Sequence, residues 1–362
     1  MYNKVSAISK MALIALLVGA GLQKAHAGAV ITNPEGTVAL GVNDEGHLNI
    51  AGAVPGSSTF DGNGAIGLSY ITHPAGGPAN FYNDGTAPGC LCEGWGVSAS
   101  GISGYANVST DGVVNLTSTG FSSTASTATA SVKVTSLPAL TVTQAYAPAT
   151  EAGAAGVLFK DTVTITNTGL ATLTDVKYVR VMDWDIPPTE FNEVVTIKGV
   201  PGALYNAITN PGGNLELSHD DGFESANPLD AVSDALNPGT TNTDFTDLLG
   251  STSDHGAFFR FRFGDLAAGE SKTFSIYYGA TTTEASALTA LGAVGIELFS
   301  LGQSSSGTGP TVGDPFTFIF GFKGVGGIVV VPPTGAVPEP STYGLIGAAL
   351  LGAVVYLRRR RA

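Results

Sequence analysis

The chain has 362 residues, with 49 glycines, 12% charged residues and two cysteines. Its 29 acidic and 16 basic residues give a formal net charge of −13, which excludes a surface of clustered lysines and arginines that binds nucleic acid. The high glycine content and the sparse charge favour an all-β protein made of short strands and tight turns.

Residues 1–27 have the pattern of a secretory signal peptide. Lys4 and Lys10 lie around the start of an apolar segment, and Ala25 and Ala27 are the small residues of a cleavage site. We predict cleavage after Ala27, which makes the secretion machinery an expected partner. Loss of this segment and of the basic C-terminal end leaves nine basic against 29 acidic residues, so the mature body is strongly acidic.

Residues 28–150 are predicted to form a β-rich N-terminal domain. Short apolar or alternating segments are separated there by turns rich in Gly, Pro and Asn. The Ser/Thr-rich run at 117–131 fits a glycosylated segment, a solvated segment or a strand, and its alternation of Ala and Thr favours a strand. The other predicted strands of this domain are 37–42, 64–71, 113–116, 128–134 and 140–146.

The two cysteines, Cys90 and Cys92, are separated by one residue. Three interpretations stay open: a local disulfide formed in an oxidising exterior, free or intermolecular thiols, and a metal site. The disulfide is favoured. The metal site is the least favoured, because zinc needs two further ligands and no second Cys or Cys/His pair exists to supply them.

Residues 151–323 are predicted to form a second β domain with clearer periodicity. Phe259, Phe261 and Phe263 alternate with Arg260 and Arg262, which indicates a half-buried strand in a sheet with one solvated face. One large domain is the alternative to two smaller ones, given the length of the body. The predicted strands of this part are 157–167, 173–184, 257–263, 272–279 and 315–322.

One segment near the end of the body, 284–301, breaks the β pattern. Its apolar residues recur at helical spacings, with Thr283 as the expected N-cap and Gly302 as the expected terminator. We therefore predict a single helix over 284–301 within the second domain.

An acidic segment provides the candidate site residues of the body. Asp183 and Asp185 lie two apart on a predicted strand, which places both carboxylates on one face, and Glu190 and Glu193 follow after two prolines. The pattern is typical of an acidic hairpin end, a calcium site or a pair of glycosidase carboxylates. Neighbours on one strand cannot easily flank a sugar, so no catalytic residue is assigned, and calcium is the only cofactor considered.

Other motifs of enzyme chemistry are missing from the sequence. The acidic segments at 61–64 and 220–230 lack EF-hand spacing and are predicted to be solvated turns. The four histidines outside the signal peptide form no zinc motif, and neither a Gly-x-Ser-x-Gly elbow nor a phosphate-binding loop occurs. We therefore predict that the protein is not an enzyme.

The C-terminal end, 337–362, combines three signals after a Gly/Val/Pro-rich linker at 324–336. A Val-Pro-Glu-Pro tetrapeptide precedes fifteen uncharged, mostly apolar residues, 343–357, which predict a transmembrane helix. That helix would be about 22 Å long against a bilayer core of roughly 30 Å, so it suits a transient anchor. The tetrapeptide residues are Val337, Pro338, Glu339 and Pro340, and the basic cluster that closes the chain is Arg358, Arg359, Arg360 and Arg361.

This C-terminal arrangement resembles the PEP-CTERM sorting signal of bacterial surface proteins. The resemblance implies recognition by an exosortase, with the tail transiently anchored in the inner membrane before processing. Three parts of the body also resemble an uncharacterised family of secreted β-proteins that carry this signal. That second resemblance implies an immunoglobulin-like sandwich and brings no established activity. The three parts are 90–96, 163–199 and the turn near Glu270.

Three functional hypotheses follow from these patterns. The leading one is a secreted cell-surface or matrix protein without enzymatic activity, associated with exopolysaccharide or biofilm. The alternative is a carbohydrate-binding module, and a glycan-acting enzyme is the least favoured. The aromatic residues that could stack on sugar rings in the second hypothesis are Trp95, Trp184, Tyr277 and Tyr278.

Overall fold

The structure is a computed structural model that describes residues 28–52, 59–61, 64–72, 81–107, 112–198, 213–232, 254, 256–305, 316–327 and 329. The predicted signal peptide, the predicted transmembrane segment at 343–357 and the sorting tail lie outside these ranges. Within the described ranges, no helix combines the length and the apolar character that a membrane crossing requires.

The described residues are mostly in strands and include one helix, which confirms the prediction of a mostly β body with one helix near its end. The immunoglobulin-like topology stays a prediction. The strands of the first part are β1 (Gly28–Thr32), β2 (Val38–Asn43), β3 (Ile50–Ala51), β4 (Thr59–Asp61), β5 (Ala65–Ile66), β6 (Leu68–Thr72), β7 (Phe81–Asp84), β8 (Gly94–Ala99), β9 (Ile102–Asn107), β10 (Gly112–Val114), β11 (Leu116–Ser123), β12 (Ala128–Val134) and β13 (Leu137–Pro148).

The second part adds eight strands and the helix. They are β14 (Leu158–Asn167), β15 (Leu173–Asp183), β16 (Val194–Lys198), β17 (Leu215–His219), β18 (Gly256–Leu266), β19 (Ser271–Thr281), helix α1 (Glu284–Val294), β20 (Leu298–Gln303) and β21 (Thr317–Lys323).

Two large sheets carry most of these strands. One sheet has the strand order β10-β9-β8-β15-β18-β17, and the other has the order β11-β12-β13-β14-β19-β21-β20-β16. A five-stranded sheet, β1-β2-β6-β7-β4, and the pair β3-β5 complete the described strands. Because β8 pairs with β15 and β13 pairs with β14, the segments before and after residue 150 share both large sheets.

The hydrophobic core lies between the two large sheets. Phe259 and Phe261 on β18 are buried and pack on Phe320 and Phe322 of β21, with ring centroids 4.9 to 5.7 Å apart. The intervening Arg260 is half-buried, so the strand has the alternation predicted for it. Burying each of these rings contributes about 1.5–3 kcal/mol, which makes this stack a main source of cohesion between the sheets.

Helix α1 begins as predicted but ends earlier. The Thr283 side chain accepts a hydrogen bond from the Ser286 backbone N–H, which makes Thr283 the N-cap. The helix ends at Gly295, which has φ 68° in the left-handed region and can adopt it without a Cβ penalty. The predictions of a helix up to residue 301 and of Gly302 as its terminator are therefore wrong, because residues 298–303 form β20.

A cluster of buried polar side chains, here called the arginine network, lies between the two large sheets. Its centre is Arg180 on β15, whose Nε donates to the Glu93 carboxylate, and neither side chain is exposed. The other guanidinium nitrogens donate to Gln144 Oε1 at 2.6 Å and to the Tyr146 hydroxyl at 3.1 Å. The network consists of Glu93, Gln144, Tyr146, Tyr178, Arg180 and Tyr278.

Candidate functional site

The acidic residues singled out in the sequence lie at the end of β15. Asp183 is its last residue, pairs with Gly256 of β18 and is 1% exposed; Asp185 follows in the loop and is 0% exposed. The Asp185 backbone N–H donates to the Gly85 carbonyl at 2.9 Å, which fixes the loop against the chain that leaves β7. Both carboxylates are therefore held inside the protein by well-defined backbone contacts.

A third acidic residue, Asp254, joins this pair. Asp183, Asp185 and Asp254, here called the acidic cluster, each have a carboxylate oxygen, and these three oxygens lie within 4.8 Å of one another. The pairing of Asp183 with Gly256 explains the approach, since Asp254 lies two residues before Gly256. Chain spacing gives no sign of this contact, which is why the sequence did not indicate Asp254.

The two glutamates predicted with this pair have different positions. Glu193 is buried, and its charge contributes to the raised pKa of Asp185. Glu190 is half-buried and lies outside the three-residue group. The structure thus brings together Asp183 and Asp185, places Glu193 nearby and adds Asp254.

Several oxygens of the pair have no hydrogen-bond partner. Among the described residues, no donor or acceptor reaches Oδ1 of Asp183 or either carboxylate oxygen of Asp185. Buried polar side-chain atoms nearly always have a partner, and leaving one without costs about 1–3 kcal/mol. These oxygens therefore require an explanation that the neighbouring protein groups do not give.

The electrostatics of the pair are those of crowded like charges. Burial is the largest cause that raises the pKa of Asp183 to about 8, followed by the charges of Asp254 and Asp221. Burial likewise raises the pKa of Asp185 to about 9, with added repulsion from Asp183 and other carboxylates. Each group resists ionisation because water is excluded and because its charged neighbours are also acidic.

Two glycines keep the backbone close to these carboxylates. A Cβ at Gly89 would lie 2.7 Å from Asp185 Oδ1, and one at Gly222 would lie 2.8 Å from Asp183 Oδ1. Both distances are shorter than any ordinary contact of a Cβ atom. Glycine at these two positions therefore lets the backbone pack directly against oxygens that lack partners.

A disulfide joins Cys90 and Cys92 beside the acidic cluster. Cys90 Sγ lies 3.3 Å from Asp183 Oδ2. Both cysteines are in this bond, so neither offers a thiolate as a metal ligand in this state. The ligand atoms available from side chains at this place are therefore carboxylate oxygens.

Polar side chains of the loop at 219–230 form hydrogen bonds with other groups of the same loop. The Asp221 carboxylate accepts from the Phe223 N–H at 2.9 Å, and Asp230 accepts from the Ser225 hydroxyl at 2.7 Å. Burial lowers the pKa of His219 to about 4, because the neighbouring Glu224 and Asp220 offset only part of the desolvation. In the other acidic segment, residues 62 and 63 lie outside the described ranges.

The aromatic residues considered for sugar stacking are buried. Trp95 donates from Nε1 to the Glu45 carbonyl at 2.8 Å, and Trp184 donates to the Ser300 hydroxyl at 3.0 Å. Tyr277 and Tyr278 are 1% and 0% exposed. All four rings therefore pack inside the protein and present no face to a sugar in solution.

Comparison with protein-family models gives a match at the C-terminal end. A family model described as the PEP-CTERM protein-sorting motif matches residues 336–361, which include the Val-Pro-Glu-Pro tetrapeptide and the four arginines. No curated protein matches the chain. The motif indicates exosortase-dependent sorting to the extracellular space, with processing at the membrane.

Proposed function

Because the chain carries a PEP-CTERM protein-sorting motif at residues 336–361, we propose that it is a structural protein of the cell surface or of the extracellular matrix. In this proposal it is exported, cut by an exosortase at its C-terminal tail and retained in, or released into, a layer of exopolysaccharide or biofilm. The motif is the observation that carries the proposal, and the body supplies a stable β scaffold without enzymatic activity.

The physical properties of the tail support transient anchoring. Four arginines at the end of a short apolar helix resist translocation, so they stay on the cytoplasmic side of the inner membrane. Pro338 and Pro340 then lie on the outer side, where they favour an extended backbone that fits a protease cleft. A helix of about 22 Å spans a core of roughly 30 Å only marginally, which favours release after cleavage.

The surroundings of Asp183 and Asp185 support a role other than catalysis. A glycosidase needs two carboxyl groups that both reach the substrate, one ionised and one protonated. Asp183 and Asp185 are 1% and 0% exposed, and the pKa of each is raised above neutrality. These surroundings keep a substrate away from both carboxyl groups. They also favour the protonated form of both, so one does not act as an acid while the other acts as a nucleophile.

The charge of the mature body supports a matrix role that depends on cations. Nine basic and 29 acidic residues remain after both processed segments are removed, so anionic polysaccharide would be repelled. Divalent cations bridge such partners by binding carboxylates of both. The expected polysaccharide contacts are therefore weakened when divalent cations are removed.

Cell fractionation tests the sorting proposal. We expect that cells expressing the full-length sequence release a protein whose C-terminus lies near Pro340. The protein should be recovered outside the inner membrane, and mass spectrometry of the intact protein measures its C-terminus. A variant that combines P338A, E339A and P340A should stay in the membrane fraction uncut, because the apolar segment and the arginines remain.

The matched controls are a chain that lacks residues 337–362 and a host that lacks the exosortase. The truncated chain should be secreted without membrane retention, and the full chain in the second host should stay uncut. The same distribution and the same C-terminus for the full chain and the triple variant would contradict the proposal.

A further inference from the structure

We propose that the acidic cluster of Asp183, Asp185 and Asp254 is a calcium site that ties the end of β15 to the chain that enters β18. This inference goes beyond the sorting proposal and does not depend on it. The site lies at the buried end of the sheet, beside the Cys90–Cys92 disulfide.

The first step is the set of buried oxygens without partners. Asp185 is 0% exposed, and no hydrogen bond from the described residues reaches either of its carboxylate oxygens. A carboxylate in such a place is tolerated when it is paired or coordinates a metal. The charged neighbours that act on its pKa are all carboxylates, so none of them balances the charge of an ionised Asp185. These neighbours are Asp183, Glu193, Asp254 and Asp84.

The second step excludes proton sharing as the complete explanation. Two carboxyl groups that share a proton form a short hydrogen bond between their oxygens. Such a proton serves one oxygen of each carboxyl group, whereas both oxygens of Asp185 lack a partner among the described residues. Two ligands of one calcium ion, each at about 2.4 Å, lie roughly 3.4 to 4.8 Å apart. The three oxygens of the cluster are within 4.8 Å of one another, which fits a shared cation.

The third step is the backbone that packs against these oxygens. A Cβ at Gly89 or Gly222 would meet a carboxylate oxygen of Asp185 or Asp183 at 2.7 or 2.8 Å, so only glycine allows this close approach. Glycine brings no side chain that could donate a hydrogen bond to these oxygens. A cation bound to the carboxylates replaces the missing hydrogen-bond partners and offsets the repulsion among the acids.

The ligand chemistry favours calcium over softer metals. All three side-chain ligands are carboxylates, which suit hard cations, and the nearby sulfurs are held in a disulfide. Calcium accepts irregular sets of six to eight oxygens, including water, whereas magnesium demands a near-ideal octahedron. Three carboxylates from two separate segments fit the less demanding ion.

Calcium binding to the full chain in detergent tests the proposal. Extracellular calcium sites have dissociation constants of about 0.1–1 mM, so a titration to ~10 mM CaCl₂ covers the expected range. We expect calcium to raise the midpoint of thermal unfolding by roughly 5 °C relative to EDTA. The double variant D183N/D185N should lose that rise and bind calcium at least tenfold more weakly by calorimetry.

The control variant is Asp161→Asn. Asp161 is also a fully buried carboxylate with a raised pKa, but it lies on β14, away from the cluster. It should keep the whole calcium-dependent rise. No rise for the wild type, an undiminished rise for D183N/D185N, or an equal loss for Asp161→Asn would each overturn the assignment.

A second measurement on the unmodified chain covers the case in which the double variant fails to fold. Tb³⁺ occupies calcium sites, and Trp184 lies between Asp183 and Asp185 in the chain. Excitation of tryptophan should produce Tb³⁺ luminescence that CaCl₂ displaces. Absence of that signal, or displacement by Zn²⁺ only after the disulfide is reduced, would contradict a calcium site of carboxylates.

Discussion

The arginine network and the acidic cluster each include a residue of β15, Arg180 in the first and Asp183 in the second, and they hold buried charge in opposite ways. Arg180 is surrounded by a carboxylate, an amide oxygen and hydroxyl groups that accept its hydrogen bonds. Asp183 and Asp185 are surrounded by further acids and have oxygens without partners. The first region is complete within the chain, whereas the charged groups that act on Asp183 and Asp185 in the described ranges are all carboxylates.

The completeness of the arginine network explains its structural role. Tyr278 donates to Glu93 Oε1 at 3.2 Å, and the Leu48 N–H donates to Glu93 Oε2 at 2.6 Å. Arg180 also lies 5.6 Å from the centre of the Tyr278 ring, at a distance typical of a cation–π contact. Because its members come from both large sheets, the network fixes how the sheets face each other. The acidic cluster instead has the properties of a ligand site.

The largest effect is expected when the arginine network is broken. Replacing Arg180 with Met leaves the Glu93 carboxylate buried without its cation, which should lower the free energy of unfolding by about 3–5 kcal/mol. Urea unfolding of the two proteins measures the difference.

The double variant Arg180→Met/Glu93→Leu serves as the control. Removing both charges should recover a large part of the loss, because a buried ion pair often contributes little over apolar residues. A loss below about 1 kcal/mol for Arg180→Met would show that Glu93 does not depend on this partner.

The second prediction concerns His219, which lies near the acidic cluster through Asp221. The Asp221 N–H donates to His219 Nδ1 at 3.1 Å, and Asp221 also contributes to the raised pKa of Asp183. Burial lowers the pKa of His219 to about 4 from its ordinary 6.5. As the pH falls, the unfolded chain binds a proton at His219 before the folded chain does. The contribution of His219 to the free energy of unfolding is therefore fully present above pH 6.5 and is lost as the pH falls towards 4.

A shift of about 2.5 pH units corresponds to a loss of about 3 kcal/mol from this group. Denaturant unfolding at a series of pH values should show that loss in the wild type. His219→Gln, which does not titrate, should flatten the curve between pH 6.5 and 4. An unchanged slope in that variant would assign the pH dependence to other groups.

Strands with strict alternation could be predicted closely from the sequence, whereas a strand with two glycines near its start could not. The bounds predicted for β12 agree with the structure, and β14 differs by one residue at its start. By contrast, β8 was missed because Gly94 and Gly96 weaken a strand pattern. A Cβ at Gly96 would lie 2.0 Å from the Ala226 carbonyl, so the glycine is required by a segment that packs across the strand.

The candidate site was predictable only in its local part. Their spacing predicts Asp183 and Asp185 on one face of a strand, but β15 ends at Asp183 and Asp185 lies in the loop, so only their closeness is confirmed. Asp254 reaches them through the register of β15 and β18, a tertiary property that no local pattern contains. The same limit applies to Arg180, whose partners come from three separate strands and a loop. Spacing along the chain cannot identify groups that meet only after the sheets form.

The third prediction separates a buried acid near the arginine network from the acidic cluster. Burial raises the pKa of Asp161 to about 7, although the charge of Arg180 opposes the shift. A raised acid pKa means that the folded state holds the proton longer, so stability falls as the pH rises from about 4 through 7. Asp161→Asn should therefore be more stable than the wild type by about 4 kcal/mol at pH 8 and nearly equal to it at pH 4. Urea midpoints at both pH values give the difference, and a constant difference would contradict it.

The smallest effect is expected for an exposed ion pair in which an arginine Nε contacts a carboxylate, as it does in the arginine network. Arg262 Nε donates to the Asp175 carboxylate, but the two side chains are 58% and 41% exposed. Water and salt screen this pair, and holding two long side chains costs conformational entropy. Arg262→Met should therefore change the free energy of unfolding by less than about 0.5 kcal/mol, against the loss of several kcal/mol for Arg180→Met. Equal losses for the two variants would mean that the contact itself, and not the exclusion of water around it, determines how strongly an arginine stabilises this fold.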